Sequence, residues 1–209
     1  MPGSKNDFDK AATTWDDEPR RVKLAGDVAR TVIREVGLSP DMNVLDYGCG
    51  TGLVTLQLQP YVGSVTGADT SRGMLEVLRR KIRESGLANV SAVLIDTDKE
   101  IPVEGKFNLV VSSMTMHHIQ DVETLFRKFH NLLLPGGRLC VADLDAEDGS
   151  FHSNTTGVAH FGFDRREVRS MLGNAGFEDI REVTASVIVK DSDSEAQRAY
   201  PVFLMTARK

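Results

Sequence analysis

Apolar positions recur along this chain with two different spacings. Between Arg20 and Val36 they fall three and four apart, at Ala25, Val28, Ala29, Val32, Ile33 and Val36. That is the stripe of a helix lying on a core, and Gly37 and Pro40 end it. Ahead of it, Phe8, Ala11, Ala12 and Trp15 share one helical face in an arm that Pro19 breaks. Beyond it, short apolar runs bounded by glycine, proline and aspartate predict strands over residues 43–47, 63–68, 90–95, 107–112 and 138–144. Helical stripes alternate with them, over 53–58, 71–85, 122–133 and 164–175. Ser71 is placed to cap the second of these and Gly86 to stop it. Pro135-Gly136-Gly137 closes the third, and residues 145–163 form a long loop. Two β-rich segments, about 180–189 and 199–207, are joined by the polar loop Asp191–Glu195.

Strands alternating with helices imply an α/β fold, a doubly wound parallel sheet with helices on both faces. Two consecutive strands joined by a short polar loop make a hairpin, so the C-terminal end adds an antiparallel edge. The expected sheet has seven strands.

Candidate chemistry concentrates between Val44 and Leu53, in Val-Leu-Asp-Tyr-Gly-Cys-Gly-Thr-Gly-Leu. A buried strand runs into a turn with glycines at alternate positions, 48, 50 and 52. Each missing Cβ lets the turn tighten and a ligand rest on bare backbone. Such strand–loop–helix units cradle nucleotide-like cofactors. Asp46, Asp69 and Asp96 close the first three strands, where ligands of open α/β sheets bind. Each alone could be a loop-capping acid; three at successive strand ends beside a glycine loop point to a ligand. A dinucleotide fingerprint would require glycine where Leu53 stands. An acid two residues before the glycines suits a cationic centre better than a pyrophosphate.

Composition narrows the partners. The 209 residues carry a formal charge of −5, against a nucleic-acid surface. Arg79-Arg80-Lys81 reads as the solvated face of a helix. Two cysteines, Cys49 and Cys140, lie far apart in apolar runs without metal-ligand spacing, as in a reduced, cytoplasmic protein. No apolar run approaches the roughly 20 residues of a membrane span. Residues 1–20 are polar and acidic, unlike a secretory signal.

The motifs, taken in order, resemble those of class I S-adenosylmethionine-dependent methyltransferases. Asp46-Tyr47-Gly48-Cys49-Gly50-Thr51-Gly52 is similar to the first, and Asp69-Thr70-Ser71-Arg72-Gly73-Met74 to the second. Asp96 matches the acid after the third strand. Phe107–Ser113 with His117-His118-Ile119 resembles the fourth-strand segment, and Leu134-Pro135-Gly136-Gly137-Arg138-Leu139 the approach to the fifth. The resemblance implies a Rossmann-like sheet and one methyltransferase domain over 1–209. Residues 1–37 would form a helical cap, 38–145 the cofactor core, and 146–209 the acceptor-side loop and hairpin. It implies S-adenosyl-L-methionine as cofactor, with S-adenosyl-L-homocysteine as product. Gly48, Gly50 and Gly52 would line its methionine and ribose part. Asp46 would hold the amino group, Asp69 the ribose hydroxyls, with Thr70 beside it. Met74 would pack on the adenine, and Asp96 with Thr97 would meet the adenine amine. Ser112 ends the strand nearest the methyl. Asn108 stands where many relatives carry aspartate.

Transfer from a sulfonium needs alignment above all, so no universal catalytic residue is expected. A hydroxyl or ammonium acceptor also needs a base. Candidates are His117, His118, His152, His160 and Asp143, with His117 best placed after the fourth strand; each also has a plain reading as a structural or exposed side chain. Related quinone-precursor enzymes carry E-x-x-E-H where Met114, His117 and His118 stand here, so no metal is expected. Ser112-Ser113-Met114-Thr115 replaces the Asn/Asp-Pro-Pro-Tyr of amino-methylating nucleic-acid enzymes. The arm and residues 145–163 are left to form the lid, Phe8 and Trp15 over the cofactor, and Phe151, Phe161 and Phe163 around the acceptor. The expected activity is methyl transfer to a small-molecule acceptor by in-line displacement, without nucleic acid or membrane. The alternatives are a cofactor-binding regulator without catalysis and a nicotinamide oxidoreductase.

Overall fold

The computed structural model describes residues 5–96, 103, 105–152, 155–191 and 197–209. Thr97 and residues 192–195 of the hairpin loop lie outside the described residues. The strands are β1 (Asn43–Tyr47), β2 (Ser64–Asp69), β3 (Val90–Leu94), β4 (Phe107–Ser113), β5 (Leu133–Leu144), β6 (Glu178–Asp191) and β7 (Gln197–Arg208). They form one sheet in the order β3-β2-β1-β4-β5-β7-β6. β1 to β5 run parallel; β7 enters antiparallel between β5 and β6. The chain winds outward from β1 to β3, then restarts at β4 on the other side of β1. That reversal opens a crevice at the carboxyl ends of β1 and β4.

The α-helices are α1 (Lys5–Ala11), α2 (Pro19–Val36), α3 (Thr55–Leu58), α4 (Arg72–Glu84), α5 (Val122–Leu132) and α6 (Arg165–Asn174). Side chains alternate across the strands and feed two cores. Val44, Leu109, Val111 and Cys140 pack with Val28 and Val32 of α2 on one face. Leu45, Val110, Leu139 and Val141 pack with Phe126 and Phe129 of α5 and Leu172 of α6 on the other. Full burial on both faces explains why these strands read as continuous apolar runs.

Four boundaries differ from the sequence expectation, each for a local reason. Pro19 opens α2 rather than only breaking the arm: it sits in the first turn, where its missing N–H costs nothing, with Glu18 as N-cap. The helix after the glycine loop is one turn, α3, and passes into a 3-10 turn at Gln59–Tyr61 that contains Pro60. Pro135-Gly136-Gly137 lies inside β5, not between helix and strand. Leu133 already pairs with Phe107, and the register then jumps to Leu109 opposite Arg138. The C-terminal Lys209 holds this bulge through Gly136 N–H to its carbonyl (3.1 Å) and its own N–H to the Gly137 carbonyl (2.9 Å). β6 is longer than its apolar stretch because its polar first residues also pair with β7, Glu178 with Arg208 and Glu182 with Met205.

Candidate active site

The glycine loop joins β1 to α3 with φ of 75° at Gly48, 54° at Gly50 and 85° at Gly52. A side chain is strained at all three. The space around them differs. A Cβ at Gly48 would stand 2.2 Å from Thr115 Oγ1, and one at Gly52 would stand 2.4 Å from Leu78 Cδ1. Over Gly50 there is nothing within 4 Å. Gly48 and Gly52 therefore let the loop pack against the turn after β4 and against α4, and Gly50 turns bare backbone to open space.

Two acids frame this loop. Asp46 is 1% exposed and accepts from Thr55 Oγ1 at 2.6 Å. Burial pushes its carboxyl up to about 6, the Asp69 charge adding to it and the Thr55 bond opposing. Asp69 accepts from the Gly50 and Ser71 N–H groups, both at 2.8 Å. Burial also raises Asp69, against those bonds and the Thr70 N–H, and the Asp9 carboxylate adds to the rise. Two desolvated carboxylates beside open glycine backbone match a ligand that brings a positive centre and hydroxyl donors. S-adenosylmethionine has both.

The other expected cofactor positions fall as follows. Asp96 follows β3, where the Ile95 N–H donates to the Asp69 carbonyl at 3.0 Å. Ser112 Oγ donates to the Tyr47 carbonyl at 2.9 Å, bracing β4 against β1 at the crevice. Asn108 lies at the other end, accepting from the Asn43 N–H. Met74 is 2% exposed beneath Ala12, with Phe8 and Trp15 packed alongside.

The N-terminal arm, α1 and the 3-10 turn Ala12–Asp17, lies across this rim. Asp9 Oδ1 accepts from Ser71 Oγ (2.5 Å) and from the Gly73 N–H (2.8 Å), at the start of α4. Asp16 accepts from Thr51 Oγ1 (2.6 Å) and pairs with Lys81 (2.5 Å), whose Nζ also donates to the Thr51 carbonyl. The sequence reading credited the arm with an apolar face and missed these two acids. Asp9 lies on α1 and Asp16 on the 3-10 turn, so helical periodicity does not bring them together.

On the far side of Gly48 the turn Met116–His118 follows β4. His117 is 2% exposed, and its Nδ1 lies 2.7 Å from Asp143 Oδ1 at the end of β5. The other oxygen of Asp143 accepts from the His117 N–H at 3.2 Å. Burial pushes Asp143 up, but the His117 ring and the N–H groups of Leu144 and His117 outweigh it and hold the carboxyl below its usual range. An ionised Asp143 accepts from Nδ1, which leaves Nε2 as the ring nitrogen that can accept a proton. Nε2 has no hydrogen-bond partner among the described residues.

The structure gathers three of the four candidate rings. His117 lies 4.1 Å from His118 and 5.1 Å from His152, centroid to centroid. His118 is tied to the Gly157 carbonyl and meets the edge of Phe8. Among the described residues the enclosed Nε2 of His152 meets no hydrogen-bond partner. Burial and the neighbouring positive groups lower it to about 4, so it is neutral at pH 7. His160 stands apart: its Nε2 lies 2.9 Å from the Ile119 carbonyl and its ring lies against Phe163. Phe151 meets His152 edge-on, whereas Phe163 is core and Phe161 is largely exposed. Among the described residues no group of three or more His, Cys, Asp or Glu side chains is arranged to hold a metal. No helix among them is long and apolar enough to cross a membrane.

Known proteins resemble this chain. Residues 38–176, more than half of the chain, match a family model described as a methyltransferase domain. A methyltransferase of Schizosaccharomyces pombe is 32% identical over 190 residues, 82% of this chain and 67% of that protein. Phosphoethanolamine N-methyltransferase 1 of Zea mays is 31% identical over 178 residues, 80% of this chain but only 35% of that protein. The crystal structure of a methyltransferase from Bacillus halodurans superposes with a TM-score of 0.72 at 19% identity, covering 87% of this chain and 98% of that one. At that identity the likeness is one of fold. The nicotinamide alternative falls with these matches: the chain belongs to the class I methyltransferase family, with S-adenosylmethionine as its methyl donor.

Proposed function

We propose that the chain methylates a small-molecule acceptor held beneath the arm and residues 145–163, with His117 as its general base. The observation that carries this reading is the buried His117–Asp143 pair, with Nδ1 2.7 Å from the carboxylate. The turn that bears it leans on Gly48 through Thr115. The maize relative is named for a small acceptor.

Bound donor supplies an electrophilic methyl on sulfonium. Asp46 offers its carboxylate to the positive end, Asp69 to the ribose hydroxyls, and Gly50 the surface between them. Met74 would pack on the adenine, with Asp96 at its amine. Asp9 and Asp16 hold the arm over this rim. On the acceptor side, Asp143 fixes the ring of His117, Nε2 takes the proton of the attacking group, and neutral His152 offers a further hydrogen bond. Closure by Phe8, Trp15 and Phe151 keeps water from competing.

Methyl-labelled donor incubated with the protein and a metabolite extract should label a low-mass product. S-adenosylhomocysteine binding without transfer to any acceptor would instead favour a regulatory binding protein. Asp69→Ala should weaken S-adenosylhomocysteine binding by about 1–3 kcal/mol, through lost charge-assisted bonds, measurable by calorimetry. Unchanged affinity would leave Asp69 as a loop residue only.

A further inference from the structure

Beside the histidines, an ammonium stands half-buried without an ion pair among the described residues. Lys190, near the end of β6, places Nζ 3.9 Å from the centroid of Phe151 and donates to the Phe151 carbonyl. Among the described residues no carboxylate reaches it as an ion pair. A desolvated ammonium held by one carbonyl and a ring face retains unused donors.

Its surroundings add to that charge. Arg20 and Arg21, at the start of α2, lie close enough to bear on Lys190 and, with burial, help lower its pKa. Glu147 and Glu18 pull the other way. Glu147 spends Oε2 on the N–H groups of Gly149 and Phe151, at 2.8 and 3.0 Å. The Arg21 guanidinium covers Trp15 at 3.7 Å, at the arm's edge. Arg20 is paired with Glu18 at 3.1 Å, so the charge beside Phe151 that the described residues leave without an ion pair is that of Lys190.

Lys190 also lies in line with the proposed chemistry. Phe151 has Lys190 on its face and His152 at its edge, 4.8 Å away, and His152 lies 5.1 Å from His117. We propose that the acceptor carries an oxyanion group, phosphate or carboxylate, that Lys190 binds while the atom to be methylated lies at His117 and His152. This rests on the acceptor-side reading above. The oxyanion gives the ammonium a charge-assisted bond, which a neutral analogue does not supply.

The test uses the full chain saturated with S-adenosylhomocysteine, titrated calorimetrically with O-phosphoethanolamine, ethanolamine, inorganic phosphate and acetate. At least one anion should bind, with ethanolamine at least tenfold weaker than O-phosphoethanolamine if phosphate is the group read. Acetate binding without phosphate binding assigns a carboxylate instead. Lys190→Met should weaken the preferred anion by about tenfold or more, Lys190→Arg should restore most of it, and both should keep wild-type S-adenosylhomocysteine affinity. The proposal is overturned if none of the three anions binds, or if Lys190→Met binds the preferred one as the parent does. Failure of S-adenosylhomocysteine to bind the parent chain would instead strike the donor-site reading, and this inference with it.

Discussion

Glutamine at position 117 should lower kcat by about 10²–10⁴-fold, the usual contribution of a positioned general base, with S-adenosylhomocysteine affinity unchanged. Glutamine fills similar space and can still donate toward Asp143, so the fold is kept; it has no group that takes a proton. Asp143→Asn should cost much of the same factor by a different route. Asparagine does not stabilise the imidazolium and can bind Nδ1 as donor, which would turn the ring into its wrong tautomer. The two residues act as one unit, so the double variant should be little worse than His117→Gln alone. Labelled-methyl transfer at saturating donor measures all three, with thermal melts as a check on folding. A less than threefold loss in His117→Gln would reduce the pair to a brace between the turn after β4 and the end of β5.

That pair also shows where sequence reading stops. Asp46 with the glycines, and Asp69 with Ser71, are local: strand, turn and helix cap follow within a few residues, so the local structure of this rim can be read from spacing. Ser71 does cap α4, accepting from the Met74 N–H. His117 and Asp143 are 26 residues apart and meet only because Ser113 registers with Ala142 when β4 pairs with β5. No periodicity carries that register. His152 reaches the site through a loop whose course depends on Glu147 holding the Gly149 and Phe151 N–H groups. Lys190 has the look of a solvated edge-strand lysine until Phe151 is laid beneath it. The Pro-Gly-Gly segment misleads for a related reason. Its residues are turn formers, but Lys209, far off in sequence, supplies the bonds that make the turn a bulge inside a strand.

Asp46→Asn should make the unliganded protein more stable and a poorer binder of donor. Asp46 is fully enclosed, and burial lifts its carboxyl from 3.8 to about 6. The folded chain thus holds this proton more tightly than the unfolded chain. The resulting stabilisation is complete below about pH 3.8 and is lost as pH rises from there through about 6. At pH 7–8 the ionised carboxylate then weighs against the fold by about 3 kcal/mol, at about 1.4 kcal/mol per unit. Asparagine removes the charge and can keep the bond from Thr55, so D46N should gain about 1–3 kcal/mol at pH 8 and little at pH 4. Denaturant melts at the two pH values measure the difference. The charge is retained, on this view, because the donor brings a positive sulfonium and ammonium to it. D46N should therefore lose about tenfold or more in S-adenosylmethionine affinity, and less for S-adenosylhomocysteine, which lacks the sulfonium. In the parent chain, S-adenosylmethionine binding should weaken below about pH 6 as Asp46 takes up its proton, while D46N shows no such step. Equal stability of the two chains at pH 8 would mean that Asp46 is not the strained acid described here. Equal loss for both ligands would place the sulfonium out of its reach.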